Sequence, residues 1–409
     1  MEEKAHPLLA LKARDFRFYW LALVSQVVGQ HMFGFTLGWL AFEITGSQAQ
    51  LGLVHLCGFL PQFTLTLLGG VLADRIDARK LIGTAQVNSA IAMIMVGGVT
   101  LLGVAQLWHL ALGAFLVGLS GAIDEPARAS FFPRLLPRAL LRSAVPLISM
   151  AFGSSRAIAP SIAGFLIAAA GAPATFLVSA AAVSAMLGVL LLLRPPPREQ
   201  TSHGSLLNNF TDSVRYIRNN EVFAKALAAA LLNASLAMGY LHMLPVFAKT
   251  VLHVDSRGLG ILVSAAGAGA LVGLLSFAWV QARSSPRTMM IAALTAYNTS
   301  LLGLAFSDWY WLSFCAIFVT GLCHAYFITC VQVILQTLVD DHYRGRVMSV
   351  FTLVWSLQYL SGFLLNTTGA LIGPRLALAS GAAIVLAYVW LSLSRARALR
   401  NVVLAPKPG

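Results

Sequence analysis

Long apolar runs separated by short polar punctuation dominate the chain, and a run of about 20 apolar residues is what a helix needs to cross a bilayer. The runs predict spans over 16–42, 51–72, 81–102, 107–123, 144–169 and 173–193, and again over 226–247, 259–280, 289–306, 309–335, 347–372 and 376–393. Between the two sets, the chain opens on Pro195, Pro196 and Pro197 and then spaces Leu206, Leu207, Phe210, Val214 and Ile217 along one helical face. The expected organisation is an N-terminal six-helix bundle at 1–194, a cytoplasmic linker with one amphipathic surface helix at 195–221, and a C-terminal six-helix bundle at 222–409.

The basic residues set the orientation. With the N-terminus inside, 24 of the 28 lysines and arginines fall on the cytoplasmic side; Lys249, Arg257 and Arg375 lie outside and Arg156 lies within the fifth span. Both termini are then cytoplasmic, which requires an even number of spans. The halves superimpose weakly at an offset of 203 residues, with Gly70 on Gly273 and Lys80 on Arg283. Two six-helix repeats of this kind suit a rocking mechanism around a site near the midplane.

Composition removes several classes. The chain is 58% hydrophobic and 11% charged over 409 residues, so twelve spans leave short loops and no room for a soluble catalytic domain. The net charge of +13 is scattered between apolar runs rather than gathered on one polar face, which argues against a nucleic-acid partner. Cys57, Cys315, Cys323 and Cys330 all fall inside apolar runs with no disulfide or zinc spacing, and read as small core residues. No cofactor or metal, no enzymatic nucleophile–base pair and no removable leader are expected. The stretch Gly267 to Gly273 looks like a loose nucleotide loop, but it sits in an apolar run with no preceding strand. Its Gly269 and Gly273 read instead as a face for close helix packing, against Ala163 and Gly164 of the fifth span.

The sharpest motif is the loop Gly69-Gly70-Val71-Leu72-Ala73-Asp74-Arg75-Ile76-Asp77-Ala78-Arg79-Lys80. Here the chain resembles the major facilitator superfamily, whose signature loop runs Gly, three residues, Asp, a basic residue, one residue, Gly, one residue and two basic residues. Gly70, Asp74, Arg75, Arg79 and Lys80 match, while Asp77 stands where the family has Gly. Arg14-Asp15-Phe16-Arg17, Glu43-Ile44-Thr45-Gly46-Ser47, Asp124-Glu125-Pro126-Ala127-Arg128 and Arg344-Gly345-Arg346-Val347-Met348 are similar to the enterobactin-exporter and drug:proton-antiporter branch. The resemblance implies an all-α membrane protein with the major facilitator fold, its twelve transmembrane helices in two six-helix repeats. It also implies a multi-pass place in the bacterial inner membrane. In that reading Asp74 latches the cytoplasmic side against the loop carrying Arg344 and Arg346.

The resemblance also implies that spans one, four, seven and ten face a central cavity, where this chain carries Gln26, Gln30, His31, Asn233, Tyr240, His242, His324 and Tyr326. Each is either a substrate contact or an interhelical hydrogen bond. Arg156, deep in span five, is either an anion or substrate contact or a structural cation capped by backbone carbonyls and Ser154 or Ser155. It precedes Ala157 to Gly164, a partial match to an antiporter motif with Ala159 and Ala163 in place of glycines. No carboxylate is expected deep in the membrane, with Asp74, Asp124 and Glu125 placed at its inner edge and Glu43 and Asp308 at its outer edge. The coupling proton is therefore assigned to His31, His324 or the Asp124–Glu125 pair.

The expected function is secondary active export of a small amphipathic molecule, drug or siderophore-like, by alternating access with proton antiport. The partners are that substrate, protons and the lipid bilayer, and the chain acts as a monomer. The alternative is an importer or facilitator of the same fold, and after it a non-transporting membrane sensor.

Overall fold

The computed structural model describes residues 9–137, 140–193 and 215–396; some side chains within its helices, those of Asp74, Arg344 and Arg346 among them, lie outside that description. The linker face from Leu206 to Val214 also lies outside the described residues, and its end, 215–219, is helical with Ile217 buried.

The described residues are almost entirely helical. The helices are α1 (Arg14–Thr45), α2 (Gln48–Arg75), α3 (Ala78–Leu101), α4 (Leu107–Phe131), α5 (Leu141–Leu192), α6 (Glu221–Leu236), α7 (Tyr240–Thr250), α8 (Ser256–Gln281), α9 (Pro286–Ala305), α10 (Tyr310–Leu338), α11 (Asp341–Ile372) and α12 (Pro374–Tyr388). Eight of the described helical segments are long and apolar enough to cross a membrane. Their outward surface fits that reading: Leu275, Leu192 and Trp390 are 84%, 77% and 56% exposed, an apolar surface that water would penalise and lipid does not.

Local sequence explains the boundaries. α1 stops where Gly46 takes a left-handed φ of 61° and returns its N–H to the Phe42 carbonyl. Asp77 caps α3, its carboxylate accepting from the Arg79 N–H at 2.7 Å with φ at −57°. The departure from the signature glycine is thus a helix N-cap that needs no positive φ. α5 runs for 52 residues, about 78 Å at 1.5 Å per residue, more than twice a bilayer core. Gly171, at φ 82°, breaks it into two arms just before Pro173. α6 and α7 together make one membrane-length segment interrupted near Gly239. The Gly239 N–H is taken by the Ser361 hydroxyl at 2.9 Å, and a Cβ there would lie 2.3 Å from the Ser361 carbonyl carbon.

The chain forms two compact units. The first comprises Met1–Gly46, Leu53–Ser202 and Asp255–Ser264; the second comprises Ser47–Gly52, His203–Val254 and Ala265–Gly409. In the first, α1 packs along α5, and α3 packs on both α4 and α5. Its core joins Phe16, Tyr19 and Leu23 of α1 to Ile82, Phe131, Leu147 and Met186. In the second, α9 packs on both α10 and α12, and α11 packs on α6 and α12.

Candidate functional site

The first unit holds a buried polar centre that the apolar pattern conceals. Asp124, 1% exposed, accepts from Gln26 Nε2 at 2.8 Å on one oxygen and from Gln86 Nε2 at 2.9 Å on the other. One helical turn on, Arg128 Nε lies 2.8 Å from the same carboxylate, and its guanidinium stands 5.3 Å from the centroid of the Phe152 ring. Four helices, α1, α3, α4 and α5, therefore meet at one charge pair. A buried carboxylate and guanidinium are tolerable because each satisfies the other and amides fill the remaining lone pairs. This corrects the expectation of a membrane without an inner carboxylate: Asp124 is level with Gln86, nine residues into α3 or about 12 Å from its start. Glu125 is exposed beside it.

The candidate cavity residues separate by burial. Gln26, Asn233, Tyr240 and His324 are 0%, 2%, 4% and 8% exposed, packed within their bundles, whereas Gln30, His31, Arg156, His242 and Tyr326 are partly exposed. Tyr240 and His324 are joined through Tyr297, whose ring lies 6.3 Å from the first and 6.1 Å from the second. The Tyr326 hydroxyl is 2.7 Å from the Ser276 hydroxyl, an interhelical bond between α10 and α8, and the His242 ring stacks on Tyr359 at 5.1 Å. His31 Nδ1 bonds the Val27 carbonyl at 2.9 Å. Ser154, considered as a cap for Arg156, donates instead to the Met150 carbonyl at 2.7 Å.

Of the gating candidates, Gly70 and Asp74 lie on the last turns of α2, and Arg75 and Lys80 are exposed. Arg79 donates to the Leu191 carbonyl at 3.1 Å. The Asp74, Arg344 and Arg346 side chains lie outside the described residues. The second cytoplasmic loop carries an anchor that sequence reasoning missed. The Tyr216 hydroxyl donates to the Asp340 carboxylate at 2.9 Å, and its ring stacks on Tyr343 at 4.3 Å. At the far side of the same unit, Arg375 pairs with Asp308 and holds its carboxyl below the usual carboxylate range.

The expected packing of α8 on the Ala163–Gly164 face of α5 occurs, but through the start of α8. A Cβ on Gly260 would lie 2.6 Å from the Pro160 carbonyl oxygen, and one on Gly164 would lie 2.3 Å from the Ser256 carbonyl oxygen. Ser161 and Ser264 hydroxyls stand 2.8 Å apart, and the Ser256 hydroxyl donates to the Gly164 carbonyl at 3.0 Å. The backbones meet with no side chain between them. The Gly269 and Gly273 face has a different partner from the one expected: it packs on α10, where Cβ atoms would lie 2.0 Å from the Phe318 oxygen and 2.6 Å from the Leu322 oxygen. It is Gly260 that meets Gly164. Cys323 and Cys330 are buried as expected, whereas Cys57 is half-buried and Cys315 is exposed, its helix face pointing away from the bundle core.

Solved structures of similar shape include transporters. The structure is similar over 94% of this chain to a bacterial homologue of the human lysosomal transporter Spinster, with a TM-score of 0.75 and 15% identity, and that chain is covered to 98%. It is also similar over 93% to the nucleoside transporter NupG, with a TM-score of 0.73 and 15% identity, 99% of that chain being covered. In sequence it is 25% identical to the Staphyloferrin A transporter of Staphylococcus aureus, over 82% of this chain and 85% of that one. It is 25% identical to the multidrug efflux pump Tap of Mycolicibacterium fortuitum, over 79% and 80%, and 24% identical to the enterobactin exporter EntS of Citrobacter koseri, over 91% and 87%. A multi-pass place in the bacterial inner membrane goes with these relatives and with the apolar helices. Because the transmembrane secretion effector family matches residues 5–404, nearly the whole length, the chain belongs to that family of the major facilitator superfamily.

Proposed function

We propose that this protein exports a small amphipathic molecule, drug or siderophore-like, by alternating access coupled to proton antiport. It does so as a monomer with twelve spans in two six-helix repeats, at 1–194 and 222–409 about the linker 195–221, and with both termini cytoplasmic. The observation that carries the reading is the contact of α5 with α8. Bare backbone meets bare backbone around Gly164 and Gly260, as at other glycines of the bundle, but here the contact is also tied by hydroxyls, Ser161 to Ser264 and Ser256 to the Gly164 carbonyl. Such a contact buries little apolar area and makes hydrogen bonds that water can replace, so it can part and re-form at small cost. An alternating gate needs that property. For the cytoplasmic side we propose the latch that the signature motif of Gly70, Asp74, Arg75, Arg79 and Lys80 implies, toward the loop of Arg344 and Arg346.

Among the coupling candidates, Asp124 is fully engaged with Gln26, Gln86 and Arg128, while Glu125 is exposed one residue away. That supports a division of labour in which Asp124 holds the site and Glu125 exchanges the proton, with His31 and His324 as the remaining candidates. Relatives that are a siderophore exporter and a multidrug efflux pump support export over import. The test is solute trapping in energised vesicles of both orientations, with wild type against Asp74→Asn. Protonophore-sensitive enrichment in everted vesicles supports export. Enrichment confined to right-side-out vesicles makes the protein an importer, and none in either leaves a sensor. Equal transport by Asp74→Asn removes the latch.

A further inference from the structure

We propose that Arg156 and His31 form an oxyanion subsite of the transported molecule, so that the substrate carries an anionic oxygen group and is not a lipophilic cation. The proposal rests on the transport reading above and names the substrate class within it.

Arg156 is the sixteenth residue of α5, about 22 Å along the first arm. A guanidinium at that depth is costly unless an acceptor or water reaches it. Among the described residues none supplies one: no carboxylate lies within ion-pair distance, and no hydroxyl or carbonyl accepts from it. Asp124, the buried carboxylate of the same unit, is already committed to three other side chains. The five donors of Arg156 are therefore left for water and a ligand.

Its direction agrees. At about 100° per residue, Arg156 stands within about 60° of Ala159 and Ala163 around the helix, and those two residues pack on Met32 of α1. Arg156 is partly exposed, so it faces α1 and still reaches an open surface.

His31 completes the subsite. Met32 packs against Ala159 and Ala163, which sets α1, with His31 next to Met32, beside the turn of α5 that follows Arg156. Since a carbonyl can only accept, Nδ1 of His31 is the donor to Val27, and Nε2 of the neutral ring presents a lone pair. A planar cation with an acceptor nitrogen nearby fits an oxyanion flanked by a hydroxyl or N–H group. A quaternary or protonated amine finds only repulsion from the guanidinium. One turn beyond Arg156, Pro160 meets Gly260, so a ligand held here adjoins the contact that must open.

The experiment uses everted and right-side-out vesicles carrying wild type, Arg156→Gln or Arg156→Lys at matched abundance. They are energised and given a host metabolite extract with carboxyfluorescein and ethidium added, and the trapped solutes are identified by mass spectrometry. The expected result is enrichment of oxyanions by wild type and none of ethidium. Enrichment should fall at least about tenfold in Arg156→Gln, as the loss of a charge-assisted hydrogen bond implies, and should be partly retained in Arg156→Lys. Wild-type enrichment of cations or neutral solutes alone, or equal oxyanion enrichment by Arg156→Gln, overturns the subsite and leaves the transport reading intact. No enrichment in either orientation fails the transport reading and the subsite with it. If Arg156→Gln melts early in detergent, the charge sign of the solutes enriched by wild type decides alone.

Discussion

Replacing Gly260 by valine places a Cβ 2.6 Å from the Pro160 carbonyl oxygen and 3.2 Å from the Ser161 Cα, roughly 0.8 Å short of ordinary contact at the first. The obstacles are backbone atoms of a helix, which cannot swing aside as a side chain can. Overpacking of this kind costs about 1–3 kcal/mol, and it is charged to the state in which α5 and α8 touch. That state should therefore lose population by roughly five- to 150-fold relative to one in which they part. The assay is oxidative cross-linking of Ser161→Cys with Ser264→Cys, whose parent hydroxyls are 2.8 Å apart, after replacing Cys57, Cys315, Cys323 and Cys330. Gly303→Val is the control, because a Cβ there meets nothing within 4 Å. Cross-linking should slow by at least about fivefold in Gly260→Val and stay unchanged in the control. Equal rates in the two variants would refute the claim that this contact is backbone-limited.

Asp124→Asn leaves Arg128 buried beside a neutral partner and should cost about 3–5 kcal/mol, lowering the melting temperature of the purified protein sharply. Adding Arg128→Gln should recover most of that loss, and an additive double variant would count against the pairing. Arg375→Ala should return the Asp308 carboxyl to the ordinary range, read by carbon NMR titration. Since the folded pKa is depressed, the pair contributes stability above pH of about 4 and loses it as pH falls further, so wild type and variant should converge in acid. Tyr216→Phe removes the bond to Asp340 but keeps the ring on Tyr343, whereas Tyr216→Ala removes both. Amide exchange at the start of α11 should rise little in the first and clearly in the second.

Helix positions were readable because bilayer thickness and helical rise leave little freedom: the apolar run at 81–102 became Ala78–Leu101, and that at 309–335 became Tyr310–Leu338. The glycine that separates 144–169 from 173–193 is likewise visible as a polar-poor pause before Pro173. What the pattern could not reveal is which polar residues meet. Gln26, Gln86 and Asp124 are isolated in sequence, up to 98 residues apart, and nothing in one chain says that they share a centre. The fourth apolar run ends at Ile123, so the pattern alone puts Asp124 just past the edge of its span. A lone glutamine in an apolar run such as α3 was the available signal for Gln86. The Gly164–Gly260 contact was hidden for a related reason: several small-residue faces exist, and pairing them requires the third dimension.

The one-residue turn at Gly171 also constrains how the protein is made. The two arms of α5 have no loop between them, so they enter the bilayer as a single hairpin. They also receive α1, since Leu147, Ala151, Met186 and Leu190 all close around Phe16, Tyr19 and Leu23. Until α5 is complete, α1 lacks its main packing partner and the carbonyls of Leu147 and Ala182 that Trp20 and Ser25 bond. Burial of α1 is thus a late and abrupt event in synthesis, set by the end of α5 and not by α1 itself.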